Sequence, residues 1–222
     1  MGPGPGPPAG SPVPSVVWRV LADAQTRGFI GPGPLAPHVT HALGFADALT
    51  QARGAAPSPG DHVIDLGAGG GLPGLVLAAR WPGIRFSLVE GSTRRSAFLE
   101  EAVGRFHMEG QVEVVAERAE LAGHDRGLRG RCTVVVSRSF GSPGETAECG
   151  GPFLGLDGLL VVSEPPEPRG EAAWPPEGLA VLGLERVPPG PSPGGFAVFR
   201  QVRACPDRYP RRVGIPRKRP LF

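Results

Sequence analysis

The sequence predicts a doubly wound α/β fold, with a mostly parallel sheet covered by helices and a C-terminal antiparallel hairpin strand. Three observations carry this. Strand-like and helix-like segments alternate from His62 onward, the order that builds parallel sheets through crossover connections. The run Cys132–Ser137 (CTVVVS) is apolar and β-branched, as a strand covered on both faces must be. A glycine cluster between Gly67 and Gly74 separates a short apolar segment from a helical one, and doubly wound sheets bind ligands at such strand-to-helix turns.

Each element follows in order. Residues 1–14 hold repeated Pro and Gly and little to bury, so a disordered or extended leader is expected there. Residues 15–56 form an N-terminal helical segment: Val16, Val17, Val20 and Leu21 recur at helical spacing, and a second helix runs from about Val39 to Leu49. Gly31-Pro32-Gly33-Pro34 breaks the chain between them. Residues 57–203 are the expected ligand-binding domain. Its elements are a strand at His62–Leu66, a helix at Pro73–Arg80, a strand at Arg85–Glu90, a helix at Thr93–His107 and a strand at Val112–Val115. After the strand at Cys132–Ser137 come a helix near Glu145–Phe153 and a strand at Leu159–Ser163. Leu179–Val187 and Gly195–Val202 then read as two strands joined by the Pro188–Gly194 loop. Residues 204–222 are a basic tail.

Composition narrows the class. Glycine (35) and proline (28) are abundant, but one lysine, Lys218, and no asparagine point to a GC-rich coding bias rather than low complexity. Hydrophobic residues make up 40%, enough for a globular body. The net charge of +2 is uneven, because the last twenty residues hold most of the basic excess. Cys132, Cys149 and Cys205 form no C-x-x-C pair, as in a reducing compartment. No secretory pattern opens the chain, and no run has the ~18–20 apolar residues of a membrane span. A cytoplasmic monomer is expected.

The central constellation is Asp65-Leu66-Gly67-Ala68-Gly69-Gly70-Gly71-Leu72-Pro73-Gly74. Glycines let a ligand approach the backbone, and the helix that follows presents free N–H groups. A dinucleotide fingerprint requires G-x-G-x-x-G. Here the spacing is Gly67-x-Gly69-x-Gly71, preceded by Asp65, the pattern of Rossmann-like class I methyltransferases that use S-adenosylmethionine. Asp65 is expected to help place the methionine part of that cofactor, through water or the loop's N–H groups, and Glu90 to accept from both ribose hydroxyls. A purely structural glycine turn with a solvated glutamate is the competing interpretation.

Longer stretches are more specific. His62-Val-Ile-Asp-Leu-Gly-Ala-Gly-Gly-Gly-Leu-Pro-Gly74, Leu88-Val-Glu-Gly-Ser-Thr-Arg-Arg-Ser-Ala-Phe-Leu99, Arg118-Ala-Glu120, Ser137-Arg-Ser-Phe140 and the tail from Tyr209 to Pro220 resemble the bacterial RsmG (GidB) methyltransferases. The resemblance implies transfer of a methyl group from S-adenosylmethionine to N7 of a guanine in small-subunit (16S) ribosomal RNA. It implies cofactor contacts at Gly67 and Leu72, at Ala119 and Glu120 beside the adenine, and at Arg138. The chain departs from the family at His41-Ala-Leu-Gly44, where an acid and a serine are missing, and at Ser163-Glu164-Pro165, where a lysine and a glycine are usual.

Guanine N7 carries an in-plane lone pair, so attack needs no general base, and the sequence offers no convincing His/acid pair or cysteine nucleophile. Proximity and alignment are expected to supply the catalysis. The partner is expected to be small-subunit ribosomal RNA or the assembling subunit. Arg208, Arg211, Arg212, Arg217, Lys218 and Arg219 suit an extended arm on phosphates, and the loop Arg126–Arg131 a second patch. A small-molecule or protein methyltransferase of the same fold, and a non-catalytic RNA-binding relative, remain open at this level.

Overall fold

The computed structural model describes residues 7–8, 10–165, 167, 171–188 and 195–222. Seven strands form one sheet: β1 (His62–Leu66), β2 (Arg85–Val89), β3 (Val112–Val115), β4 (Cys132–Ser137), β5 (Leu154–Ser163), β6 (Leu184–Val187) and β7 (Phe196–Gln201). Their order is β3-β2-β1-β4-β5-β7-β6. β1 to β5 pair in parallel, while β7 runs antiparallel to both β5 and β6. The expected mostly parallel sheet with an antiparallel C-terminal strand is thus found. Strand order reverses between β1 and β4, which opens a crevice at their carboxyl ends.

Helices cover both faces. α1 (Ser15–Thr26), α2 (Leu35–Arg53), α3 (Gly74–Arg80) and α4 (Thr93–Arg105) enclose one core with Leu21, Phe45, Leu77, Phe86 and Leu99 fully buried. α5 (Ala119–Ala122), α6 (Pro143–Gly150) and α7 (Pro176–Val181) lie with the tail helix α8 (Ile215–Lys218) over the other, around Ile64, Leu66, Phe153 and Phe199. At about 25 cal/mol per Å² of apolar surface, burying one such leucine or phenylalanine contributes roughly 2 kcal/mol. α2 stops where Gly54 turns left-handed at φ 82°. Gly44, in the departing His41–Phe45 stretch, has a packing role: a Cβ there would come within 2.9 Å of the Phe196 ring.

Three expectations are corrected. Leu179–Val181 belongs to a helix rather than a strand: Pro176 starts that helix at a position needing no N–H, and the left-handed Gly183 (φ 77°) turns the chain into β6. The expected Pro188–Gly194 loop lies almost wholly outside the described residues, as does the leader up to residue 6. The leader's end is not loose: Val13 is buried, and Ser11 Oγ accepts a hydrogen bond from Trp18 Nε1 at 3.2 Å. The tail is not an extended arm either. Arg129 donates to the carbonyls of Cys205, Pro206 and Tyr209 at 2.7–3.0 Å, and Arg211 pairs with the fully buried Glu148. Arg129 therefore staples the tail down and adds nothing to an outward patch.

Candidate active site

The glycine loop joins β1 to α3 at the crevice. Gly67, Gly69 and Gly71 all have positive φ (75°, 57° and 93°), a region that resists side chains. A Cβ on Gly67 would stand 2.6 Å from the Phe140 ring, and one on Gly71 would collide with Leu75. Asp65 lies beneath the loop, fully buried. Its Oδ2 accepts from the Gly74 amide at 2.7 Å, while Oδ1 has no partner among the described residues. Burial pushes its carboxyl up to about 7, aided by the Glu90 charge and opposed by the Gly74 amide.

Glu90 sits at the end of β2 and ties two segments together. Its Oε2 accepts from the Gly69 amide at 2.9 Å and its Oε1 from the Ser92 amide at 2.8 Å. Each oxygen keeps a lone pair for a ligand hydroxyl. After β3, Glu120 is bound by Arg118 Nη2 at 2.8 Å and Nε at 3.2 Å, and by the Gly214 amide of the tail at 2.9 Å. Burial pushes the Glu120 carboxyl up, but Arg118 and the Gly214 amide outweigh it and hold it below its usual range.

These groups line a chain of cavities. One of about 540 Å³ is bounded by Gly67, Glu90, Ala119, Glu120, Phe140 and Arg217. A neighbour of about 240 Å³ takes in Gly67, Gly69, Leu72, His38 and Arg138. A third, of about 290 Å³, is bounded by His41, Arg138, Phe140, Glu164 and Trp174. Ser139 lines all three. Seven of the nine residues singled out from the sequence therefore meet around adjoining cavity space. Asp65 and Gly71 do not line it: Asp65 is spent inside β1 holding the start of α3, and Gly71 faces Leu75.

Arg138 Nη2 donates to His38 Nδ1 at 2.7 Å, and its Nη1 is buried without a partner among the described residues. Burial pushes the Arg138 guanidinium down, only partly offset by Asp65. Burial and the neighbouring Arg138 likewise lower His38, so His38 accepts as a neutral ring. His38 escaped the sequence reading because it stands 100 positions from Arg138. Arg118 was visible only inside its motif, and Trp174 carried no signal. Burial raises the thiols of Cys132 to about 12 and Cys205 to about 11, and pushes Cys149 up as well, so none is a thiolate nucleophile. No metal-ligating cluster is present among the described residues.

The site suits a nucleoside-bearing cofactor: a loop that excludes side chains, a carboxylate with lone pairs to spare at the strand end, and an unpartnered buried donor at Arg138. Together with the sheet order, this defines the class as a Rossmann-like methyltransferase. A putative O-methyltransferase from Klebsiella pneumoniae shares the fold, with a TM-score of 0.55 and 13% identity over 90% of this chain and 92% of that one. A SAM-dependent O-methyltransferase from Thermotoga maritima does so with a TM-score of 0.54 and 12% identity over 84% and 72%. The particular family follows from sequence. The family described as rRNA small subunit methyltransferase G (GidB) matches residues 36–181. A ribosomal RNA small subunit methyltransferase G from Pelotomaculum thermopropionicum is 33% identical over 80% of this chain and 77% of its own length. One from Moorella thermoacetica is 32% identical over 73% and 70%. The chain belongs to this family.

Proposed function

We propose that the protein transfers a methyl group from S-adenosylmethionine to N7 of a guanine in small-subunit (16S) ribosomal RNA. The observation that carries this is that the glycine-loop cavity and the Arg138–Glu164–Trp174 cavity adjoin, with Ser139 and Phe140 lining both. The first cavity suits the cofactor and the second an incoming base. Family membership supplies the choice of RNA. The setting we propose is cytoplasmic, with a monomer acting on the RNA or the assembling subunit; no described helix is long and apolar enough to cross a membrane.

S-adenosylmethionine supplies a methyl group on a positively charged sulfur, so transfer is an in-line displacement by an aligned lone pair. The chain's own residues bind and align. Glu90 holds the ribose while bracing the loop, Gly67 and Leu72 border the methionine side, and Ala119 and Glu120 border the adenine. Arg138 offers its unpartnered Nη1 to the methionine carboxylate or to the acceptor base. Phe140 lies against Gly67 and lines both cavities, giving them an apolar wall where they adjoin. No residue is required to take a proton before attack, because guanine N7 is already unprotonated. Restricting cofactor and base to one geometry supplies much of the rate, up to roughly 7–11 kcal/mol of barrier in well-oriented systems.

The test is transfer of labelled methyl groups from S-adenosylmethionine to purified small-subunit RNA and to small-subunit particles. Wild type should label one of them, and Gly67→Val, which forces a branched side chain into the Phe140 ring, should not. Absence of label with wild type on both substrates would exclude the function.

A further inference from the structure

We infer that Glu164 reads the Watson–Crick edge of the acceptor base and so selects guanine, a role that rests on the methyltransferase reading above. Glu164 follows β5 directly and lines the cavity of about 290 Å³ beside the cofactor cavity. Its position is fixed twice. The backbone N–H donates to the Gly195 carbonyl at 2.6 Å, and Oε1 accepts from Trp174 Nε1 at 2.8 Å. Trp174 is itself buried, its ring 4.5 Å from that of Phe199. The tryptophan thus holds the carboxylate without neutralising it. Among the described residues no Lys, Arg or His forms an ion pair with Glu164.

A carboxylate only accepts hydrogen bonds, and a guanidinium only donates them. The cavity wall therefore offers an acceptor at Glu164 and a donor at Arg138, whose Nη1 is unpartnered. Guanine presents donors at N1–H and N2–H₂ and acceptors at O6 and N7. Adenine presents a donor where guanine has O6, and an acceptor at N1 where guanine has a donor. Glu164 facing the N1/N2 edge leaves N7, at the other end of the purine, toward Arg138, Phe140 and the cofactor cavity. One carboxylate then sets both the identity of the base and the atom that is presented. A site built to accept from a substrate N–H rejects the analogue that lacks it, because its own buried polar group is left unpaired.

The test uses small-subunit RNA assembled by splint ligation with guanosine or inosine at the mapped target, since inosine lacks only the 2-amino group. Wild type should prefer guanosine over inosine in kcat/KM by roughly tenfold or more. Glu164→Gln keeps an oxygen for Trp174 Nε1 and removes an acceptor from the base. It should bring that ratio toward one by slowing guanosine more than inosine, which keeps N1–H, with S-adenosylmethionine affinity unchanged by calorimetry. Glu164→Ala should collapse the ratio in the same way. An unchanged ratio in Glu164→Gln overturns the inference while methyl transfer itself stands. A wild-type ratio near one overturns it without reference to any variant. Failure of wild type to methylate any guanine removes the proposed function, and this role with it.

Discussion

The Glu90 carboxylate receives the Gly69 amide on one oxygen and the Ser92 amide on the other, so a single side chain at the end of β2 sets the glycine loop against the turn into α4. Glu90 is therefore a brace as well as the proposed ribose ligand. Glu90→Gln retains one acceptor and turns an NH₂ toward an amide N–H. Losing one hydrogen bond to a charged acceptor costs about 1.5–3 kcal/mol, so S-adenosylmethionine affinity should fall by roughly tenfold or more. Calorimetry measures this directly. A change of less than about twofold would show that the carboxylate's bonds are not what shapes the loop.

Asp65 makes stability depend on pH. Its carboxyl is raised to about 7 in the folded protein by burial, against 3.8 as its ordinary value. The folded state therefore holds the proton more tightly, and stability from this group is fully present below about pH 4 and is lost as pH rises through about 7. Asp65→Asn keeps an oxygen for the Gly74 amide and cannot ionise. Urea unfolding should show the variant gaining on wild type between pH 5 and pH 8. A difference that does not move with pH would contradict the assignment.

Arg211 is structural. It donates to Glu148 from its backbone N–H and Nε at 2.8 Å each, and Glu148, a residue of α6, is fully buried. Arg211→Ala strands that carboxylate, and breaking a buried pair this way costs about 3 kcal/mol. Replacing Glu148 by Gln in the same chain should recover part of the loss. Urea denaturation of both variants separates this from an arm whose arginines face only solvent, for which stability would not change.

Arg212, Arg217, Lys218 and Arg219 remain exposed on the docked tail. If they meet phosphates, replacing all four with Gln should flatten the salt dependence of RNA binding, by roughly 0.7–0.9 in slope per lost contact. Melting temperature should stay near wild type. An unchanged slope would remove the tail from the RNA surface, leaving Arg95 and Arg118, which line the cavity of about 540 Å³, to be tested next.

What the sequence revealed followed from local chemistry. The β1 loop, Glu90 and the β-branched run of β4 carry their structure in neighbouring residues, so pattern and spacing sufficed to find them. Residues whose roles depend on distant partners were not legible. The Glu148–Arg211 pair joins α6 to the tail, His38 meets Arg138 from another helix, and Arg129 looked like a surface cation until its four carbonyl partners were seen. The short α7 was hidden because Leu179, Leu182 and Leu184 also suit a strand; the left-handed turn at Gly183 decides it. Asp65 and Gly71 belong to the motif, yet they shape the loop from beneath instead of facing its cavity.

Mapping N7-methylated guanines across small-subunit ribosomal RNA, in cells with and without this gene, tests the central claim most directly. Chemical cleavage at N7-methylguanine should reveal one site present in the parent and missing from the deletion strain. Wild-type protein supplied in trans should restore it, and Gly67→Val should not. An identical methylation map in parent and deletion strains would contradict the assignment of this chain as the enzyme that places that methyl group.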